Sequence, residues 1–149
     1  MYTIEEFDES KSKVLKYVLY KKRTIQEVKT KFGNIIESEM LNDILDELEE
    51  NDYIDDNKYI EKAVNEFKVL DNLSIKEIKY KLYSKGIPSN LIEDYISNNI
   101  DNLIEYELES AKKIAIKKMN FMDKKDITQF LLKKGYTGGS VKEAIAKME

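Results

Sequence analysis

An all-α architecture of three tandem three-helix repeats, strung into an elongated, curved array, is what this chain's composition and periodicity call for. The single Pro and five Gly in 149 residues, against 36% charged residues, leave little turn chemistry for a many-stranded sheet and favour long helices. Matching apolar positions also recur at a period near fifty residues. Val28, Ile78 and Ile127 are 50 and 49 apart, while the rows Leu41, Ile92, Val141 and Leu45, Ile96, Ile145 are each spaced by 51 and 49. A unit of that size buries a small core by itself, so three in series are expected to pack end to end.

The first stretch of repeat one places Val14, Leu15, Val18 and Leu19 on one stripe at helical spacing, and its third stretch does so with Leu41, Ile44, Leu45 and Leu48. The middle stretch opens with Thr24 and Glu27, the capping-box pair in which the hydroxyl accepts the Glu27 N–H and the carboxylate reaches back to the cap. Ser74 with Glu77 repeats the device, and Asp123 with Asp126 repeats it in weaker form. Each middle helix is expected to end near a glycine able to turn left-handed: Gly33, Gly86 and Gly135, with Pro88 barring continuation past Ile87. The cap-to-glycine distance is 9 residues in the first copy and 12 in the others, so the first copy is irregular.

Repeat three opens with a long helix from about Asn102 to Met119, with Ile104, Leu108, Ala111 and Ala115 as its apolar stripe and Lys113 and Lys117 pointing the opposite way. Its last helix is expected to follow a Gly138–Gly139 turn, with Ser140 as cap and Glu143 completing a box. The resulting division is an N-terminal arm over 1–12, a mobile segment or an extension of the first helix, and repeats over 13–56, 57–101 and 102–149.

With no Cys and no His, thiolate and imidazole chemistry, zinc fingers and disulfide frameworks lose their residues. Asp52, Asp55 and Asp56 lack the alternation, Gly and closing Glu of a calcium loop, and adjacent carboxylates do not share a helix face, so they read as caps of a helix near Asn57. Gly138–Gly139 follows no strand and is a turn, not a phosphate loop. We therefore expect no enzyme activity, no catalytic residue, no metal and no cofactor. The acidic N-terminus and the lack of a long apolar run place the protein in the cytoplasm and away from membranes.

Net charge is −4 but uneven: residues 1–109 carry 15 basic and 25 acidic side chains, residues 110–149 carry 10 and 4. A basic end on an acidic body suits a polyanion or an acidic partner, and a solvated Lys-rich helix face is the plain alternative.

Three segments resemble the RecX family of RecA regulators. Residues 17–24, Tyr-Val-Leu-Tyr-Lys-Lys-Arg-Thr, are similar to the family's aromatic-basic run before a Ser/Thr-capped helix. Residues 51–59, Asn-Asp-Tyr-Ile-Asp-Asp-Asn-Lys-Tyr, resemble its "GYLDDERF" segment, and residues 82–87, Leu-Tyr-Ser-Lys-Gly-Ile, its "LxxKGI" segment. The closing Leu131–Tyr136 resembles the "LxxRGF" ending, and the likeness spans about Lys13 to Met148. The resemblance implies tandem three-helix repeats and a non-enzymatic modulator. It would bind the RecA nucleoprotein filament on single-stranded DNA along its groove and inhibit ATPase, coprotease and strand exchange. An elongated monomer needs no further assumption.

Candidate contacts to the filament or to DNA follow from charge. Tyr20, Lys21, Lys22 and Arg23 lie between two helices, where cations meet phosphate and rings can stack; Tyr17 is nearer the apolar stripe and reads as core. Lys76, Lys79, Lys81 and Lys85 run along the second capped helix, and Lys113, Lys117, Lys133 and Lys134 belong to the basic third repeat. Each of these faces can also be an ordinary solvated one. Arg23 is the sole Arg, so direct DNA contact is expected to be weak, Lys serving phosphate as a point charge. The competing reading is a helical DNA-binding module acting without RecA, because capped three-helix units also build helix-turn-helix domains. A scaffold for another partner is a third.

Overall fold

The computed structural model describes residues 1–148, so Glu149, the last residue of the expected third repeat, lies outside the described residues. It holds nine α-helices and no strand among the described residues. They are α1 (Ile4–Tyr20), α2 (Ile25–Phe32), α3 (Ser38–Glu50), α4 (Asp56–Leu70), α5 (Ile75–Ser84), α6 (Ser89–Asn98), α7 (Ile100–Lys118), α8 (Lys124–Lys134) and α9 (Gly138–Ala146).

Each triplet closes over its own core. Val14, Val18, Val28, Phe32 and the α3 row Leu41, Ile44, Leu45 and Leu48 form the first. Ile60, Val64, Ile78, Leu82, Ile92 and Ile96 form the second, and Ala111, Ala115, Ile127, Leu131, Tyr136 and Val141 the third. Leu103, near the start of α7, is buried in the second core while Ala111 and Ala115 enter the third, so one helix fastens two repeats together. The accessible surface is 9419 Å². A compact chain of this mass would expose about 7,900 Å², and the excess is what three small cores in series produce.

The caps act as the spacing predicts. Thr24 and Ser74 each close a full capping box with Glu27 and Glu77, and Asp123 accepts the Asp126 N–H. Asp55 caps α4 by accepting from the Asn57 and Lys58 N–H groups.

Several expectations are corrected. Of the two expectations for residues 1–12 the mobile arm is the one corrected: residues 4–12 extend the first helix and form the first turns of α1, started by Thr3, whose hydroxyl accepts the Glu6 N–H at 3.0 Å. Leu19 is exposed, because it falls about 140° around the helix from Val14 and off the stripe. On α7 the buried face is Leu103, Glu107, Ser110, Ala111 and Ala115, and Ile104 is 50% exposed. Apolar periodicity places Ala111 and Ala115 on that face but misses Glu107 and Ser110, which are polar. The cap of α9 is Thr137, which accepts the Ser140 N–H, so Gly138 and Gly139 lie inside the helix and Ser140 does not cap it.

Gly86 and Gly135 take φ +77 and +107, but Gly33 is right-handed at φ −60. The difference has a packing cause. A Cβ on Gly86 would stand 2.3 Å from Gln26 Cγ, and one on Gly135 2.9 Å from Ser74 Oγ, each in the preceding repeat; Gly33 faces its own Lys29 carbonyl. The left-handed glycine marks a joint between repeats, and not merely a helix end.

Candidate functional site

The two joints are built to one pattern. At the first, Thr24 Oγ1 donates to the Lys85 carbonyl at 2.8 Å, and at the second Ser74 Oγ donates to the Lys134 carbonyl at 3.0 Å. One hydroxyl thus caps its own helix and ties it to the end of the next repeat's middle helix. The lysine that supplies the carbonyl also turns its ammonium to the capping-box carboxylate: Lys85 to Glu27 at 3.7 Å, Lys134 to Glu77 at 2.8 Å. The Leu-x-x-Lys-Gly segments are therefore joint-forming segments.

A buried carboxylate completes each joint. Asp56 accepts the Ile25 N–H at 3.0 Å, and Glu107, 51 residues on, accepts the Ile75 N–H at 2.9 Å. Each satisfies an orphan donor in the first turn of a helix in the preceding repeat. Burial pushes the Asp56 carboxyl above its usual value, opposed by the Ile25 N–H. From the sequence alone Asp56 reads, beside Asp55, as a cap of its own helix. The 51-residue recurrence of an acid is the signal that shows its wider role.

The second joint holds more. Glu107 also accepts the Thr137 N–H at 2.9 Å, Tyr106 OH donates to the Leu73 carbonyl at 2.7 Å, and Ser110 Oγ donates to the Asp71 carbonyl at 3.1 Å. Ser110 also meets the buried Tyr136 hydroxyl at 2.6 Å, and burial drives that phenol far above its ordinary range. Lys113 pairs with Asp71, which raises the lysine's pKa.

The candidate residues distribute among clefts at these joints. Lys21, Lys22 and Lys85 meet Lys62, Tyr59, Glu27 and Glu66 around a cleft of about 230 Å³ at the first joint. Lys113 and Lys117 line one of about 480 Å³ with Val69, Leu70, Asp71 and Ile116 at the second. Lys117 and Lys134 share with Lys118 and Phe130 a smaller one of about 190 Å³ beside it. Lys76 and Lys79 line a separate, more apolar cleft with Tyr80, Ile100 and Ile104, and Lys79 is paired with Glu93 at 3.0 Å.

Tyr20 is exposed on the α1 end, whereas Arg23 lies with its guanidinium 3.8 Å above the Tyr17 ring and its Nε donating to the Tyr17 carbonyl. Lys81 and Lys133 are exposed and line none of these clefts. The sequence alone does not single out Lys62, which lies on a helix of mixed charge, whereas Lys118 belongs to the basic excess of the third repeat. Among the described residues no group of three acids is placed to hold a metal ion, and no helix is long and apolar enough to cross a membrane.

No family model matches the chain. The regulatory protein RecX of Finegoldia magna is 31% identical over 143 residues, covering 90% of this chain and 69% of that protein. The chain belongs to the RecX family. RecX of Streptococcus sanguinis is 27% identical over 97% of this chain, which spans 57% of that relative's length. The crystal structure of RecX from Lactobacillus salivarius superposes with a TM-score of 0.81 at 27% identity and covers 97% of both chains. A second RecX crystal structure gives 0.79, covering 95% of this chain and 73% of the other. The all-helical repeat architecture is thus the architecture of RecX structures.

Proposed function

We propose that this chain is a non-enzymatic regulator that binds RecA nucleoprotein filaments on single-stranded DNA and inhibits their ATPase, recombinase and coprotease activities in DNA repair and the SOS response. Membership of the RecX family supports the class of function. The observation that carries it for this chain is the recurrence of lysine-lined clefts at successive joints. Lys21, Lys22 and Lys85 sit at one, and Lys113, Lys117 and Lys134 at the equivalent place one repeat on. A filament presents its binding surface periodically, and linked modules that engage successive protomers gain through effective concentration. In this reading the protein works in the cytoplasm as an elongated monomer.

The test is RecA ATPase on single-stranded DNA, titrated with this protein at near-physiological salt, with DNA binding by the protein alone measured in parallel. Dose-dependent loss of ATPase where the protein alone leaves DNA free is the expected result. Unchanged ATPase with tight, steeply salt-dependent DNA binding would instead establish a DNA-binding module acting without RecA.

A further inference from the structure

The two joints differ at equivalent positions, and the difference is one of charge. Lys21 corresponds to Asp71, and Lys62 to Lys113, by offsets of 50 and 51 residues. At the second joint the pair is Asp71–Lys113, an ion pair between repeats. At the first, lysine stands at both places, and both line one cleft. A second tie is missing there for a covalent reason. Glu107 binds the Thr137 N–H at the second joint, and the residue equivalent to Thr137 is Pro88, which has no N–H.

The first joint is therefore the less tied of the two, and at these two places it sets a lysine from each repeat where its counterpart pairs an aspartate with a lysine. Lys85 reaches Glu27, which is half-buried, at 3.7 Å, and Lys62 reaches Glu66 at 3.8 Å in a solvent-exposed pair. Lys21 and Lys22 have no ion-pair partner among the described residues.

We propose that the cleft between the first and second repeats, lined by Lys21, Lys22, Lys62 and Lys85, is a phosphate-binding site whose occupation draws the two repeats together. Lys21 and Lys22 belong to repeat one and Lys62 and Lys85 to repeat two, so an anion with several oxygens bridges the joint and supplies the negative charge that Asp71 supplies at the other. Ammonium groups bind phosphate as point charges, and the guanidinium, which would grip a phosphate or a carboxylate through two parallel bonds, is engaged elsewhere, since Arg23 is stacked on Tyr17. The cleft, at about 230 Å³, has the size for a phosphate group and its immediate neighbours. The proposal deepens the filament reading and rests on it only for the source of the phosphate, which is a nucleic-acid backbone or a small polyphosphate.

The test uses the full chain with no RecA. Because the protein has no Cys, Asn42→Cys and Ser97→Cys place spin labels on exposed positions of α3 and α6, one in each repeat. Tripolyphosphate and a short oligo-dT are added separately at constant ionic strength, and binding is followed by calorimetry. Either phosphate source should narrow the interspin distance distribution; the one that acts at lower phosphate concentration is the source.

Lys21→Asp should weaken binding by about tenfold or more and narrow the distribution without any anion, while Lys142→Asp, exposed on α9 and outside the cleft, should leave both unchanged. Lys21→Gln, which adds no charge, keeps the test valid should Lys21→Asp not fold. No binding by either anion, an equal response to polyglutamate, or equal losses in Lys21→Asp and Lys142→Asp overturns the site. Inhibition of RecA ATPase without an anion response removes the site and leaves the filament reading; the reverse keeps the site and removes the filament reading.

Discussion

Ser74 Oγ lies 3.0 Å from the Lys134 carbonyl, 60 residues away in sequence, while accepting the Glu77 N–H of its own helix at 3.1 Å. One buried hydroxyl thus serves as helix cap and as joint between repeats. Ser74→Ala removes both roles and leaves a carbonyl and an amide unpaired near the core. We expect it to lower unfolding free energy by about 1–3 kcal/mol, read from the midpoint of a urea titration. Thr24→Val should do the same at the first joint. A loss no larger than that of an exposed Ser→Ala, such as Ser97→Ala, would show that the hydroxyl does not tie the repeats.

The glycines sort by position. Gly135 is left-handed and faces Ser74 Oγ and Lys76 Cβ at 2.9 and 3.1 Å from where a Cβ would stand, whereas Gly139 lies in α9 with nothing within 4 Å. Gly135→Ala should destabilise by more than about 1 kcal/mol, through backbone strain and displaced neighbours. Gly139→Ala should stabilise by about 0.5–1 kcal/mol, because alanine is the better helix former in open space. Thermal melts of the two variants should therefore shift in opposite directions.

Much of this was legible beforehand because it repeats. A fifty-residue period exposed the triplets, and three Ser, Thr or Asp caps with acids three residues on placed the middle helices. Ser140 reads as the cap of α9 because Gly138–Gly139 reads as a turn, although glycine is tolerated in a first helical turn and Thr137 is the cap. On α7, Ala111 and Ala115 are legible as buried, but Glu107 and Ser110 are not, because they are buried to bond a neighbouring repeat, which no amphipathic pattern encodes. Among the site residues, charge singled out the lysines, but grouping them needs the joints. Lys62 joins Lys21 and Lys85 only once α4 is packed against the α1–α2 corner.

Asp52 has φ 61 in the segment where the related motif has glycine. Aspartate tolerates that conformation at some cost, which glycine avoids. Asp52→Gly is expected to stabilise by about 0.5 kcal/mol net of the greater unfolded-state freedom of glycine, measured by chemical denaturation. A destabilisation would mean that its 3.8 Å pair with Lys58 outweighs the strain.

Asp56 sets a pH dependence of unusual sign for a carboxylate. Burial, opposed by the Ile25 N–H, raises its folded pKa above the unfolded value of 3.8. The folded state then binds the proton more readily, so this group's contribution to stability increases as pH falls through the folded pKa towards the unfolded one. Asp56→Asn keeps an oxygen for the Ile25 N–H and removes the titration. The stability of the natural chain relative to this variant should therefore rise as pH is lowered from 7 to about 4. A difference that is flat with pH, or that falls, would show that Asp56 is not desolvated at the joint.

Charge reversal separates the surface role of the third repeat from its structural one. Lys113 is already engaged with Asp71, so Lys113→Glu sets two acids side by side at the joint and perturbs it as well as the surface. Lys117, one turn on, has no ion-pair partner among the described residues and lines both basic clefts of the second joint. Lys117→Glu should leave stability within about 0.5 kcal/mol of the natural chain, as for most surface changes. On the proposed function it should weaken filament binding and raise the concentration needed to halve RecA ATPase. The combination Lys113→Glu with Lys117→Glu should weaken binding further at a measurable cost in melting temperature. If affinity for the filament at moderate salt is unchanged in Lys117→Glu, the face of α7 beside the second joint is solvated surface and the contacts lie elsewhere on the array.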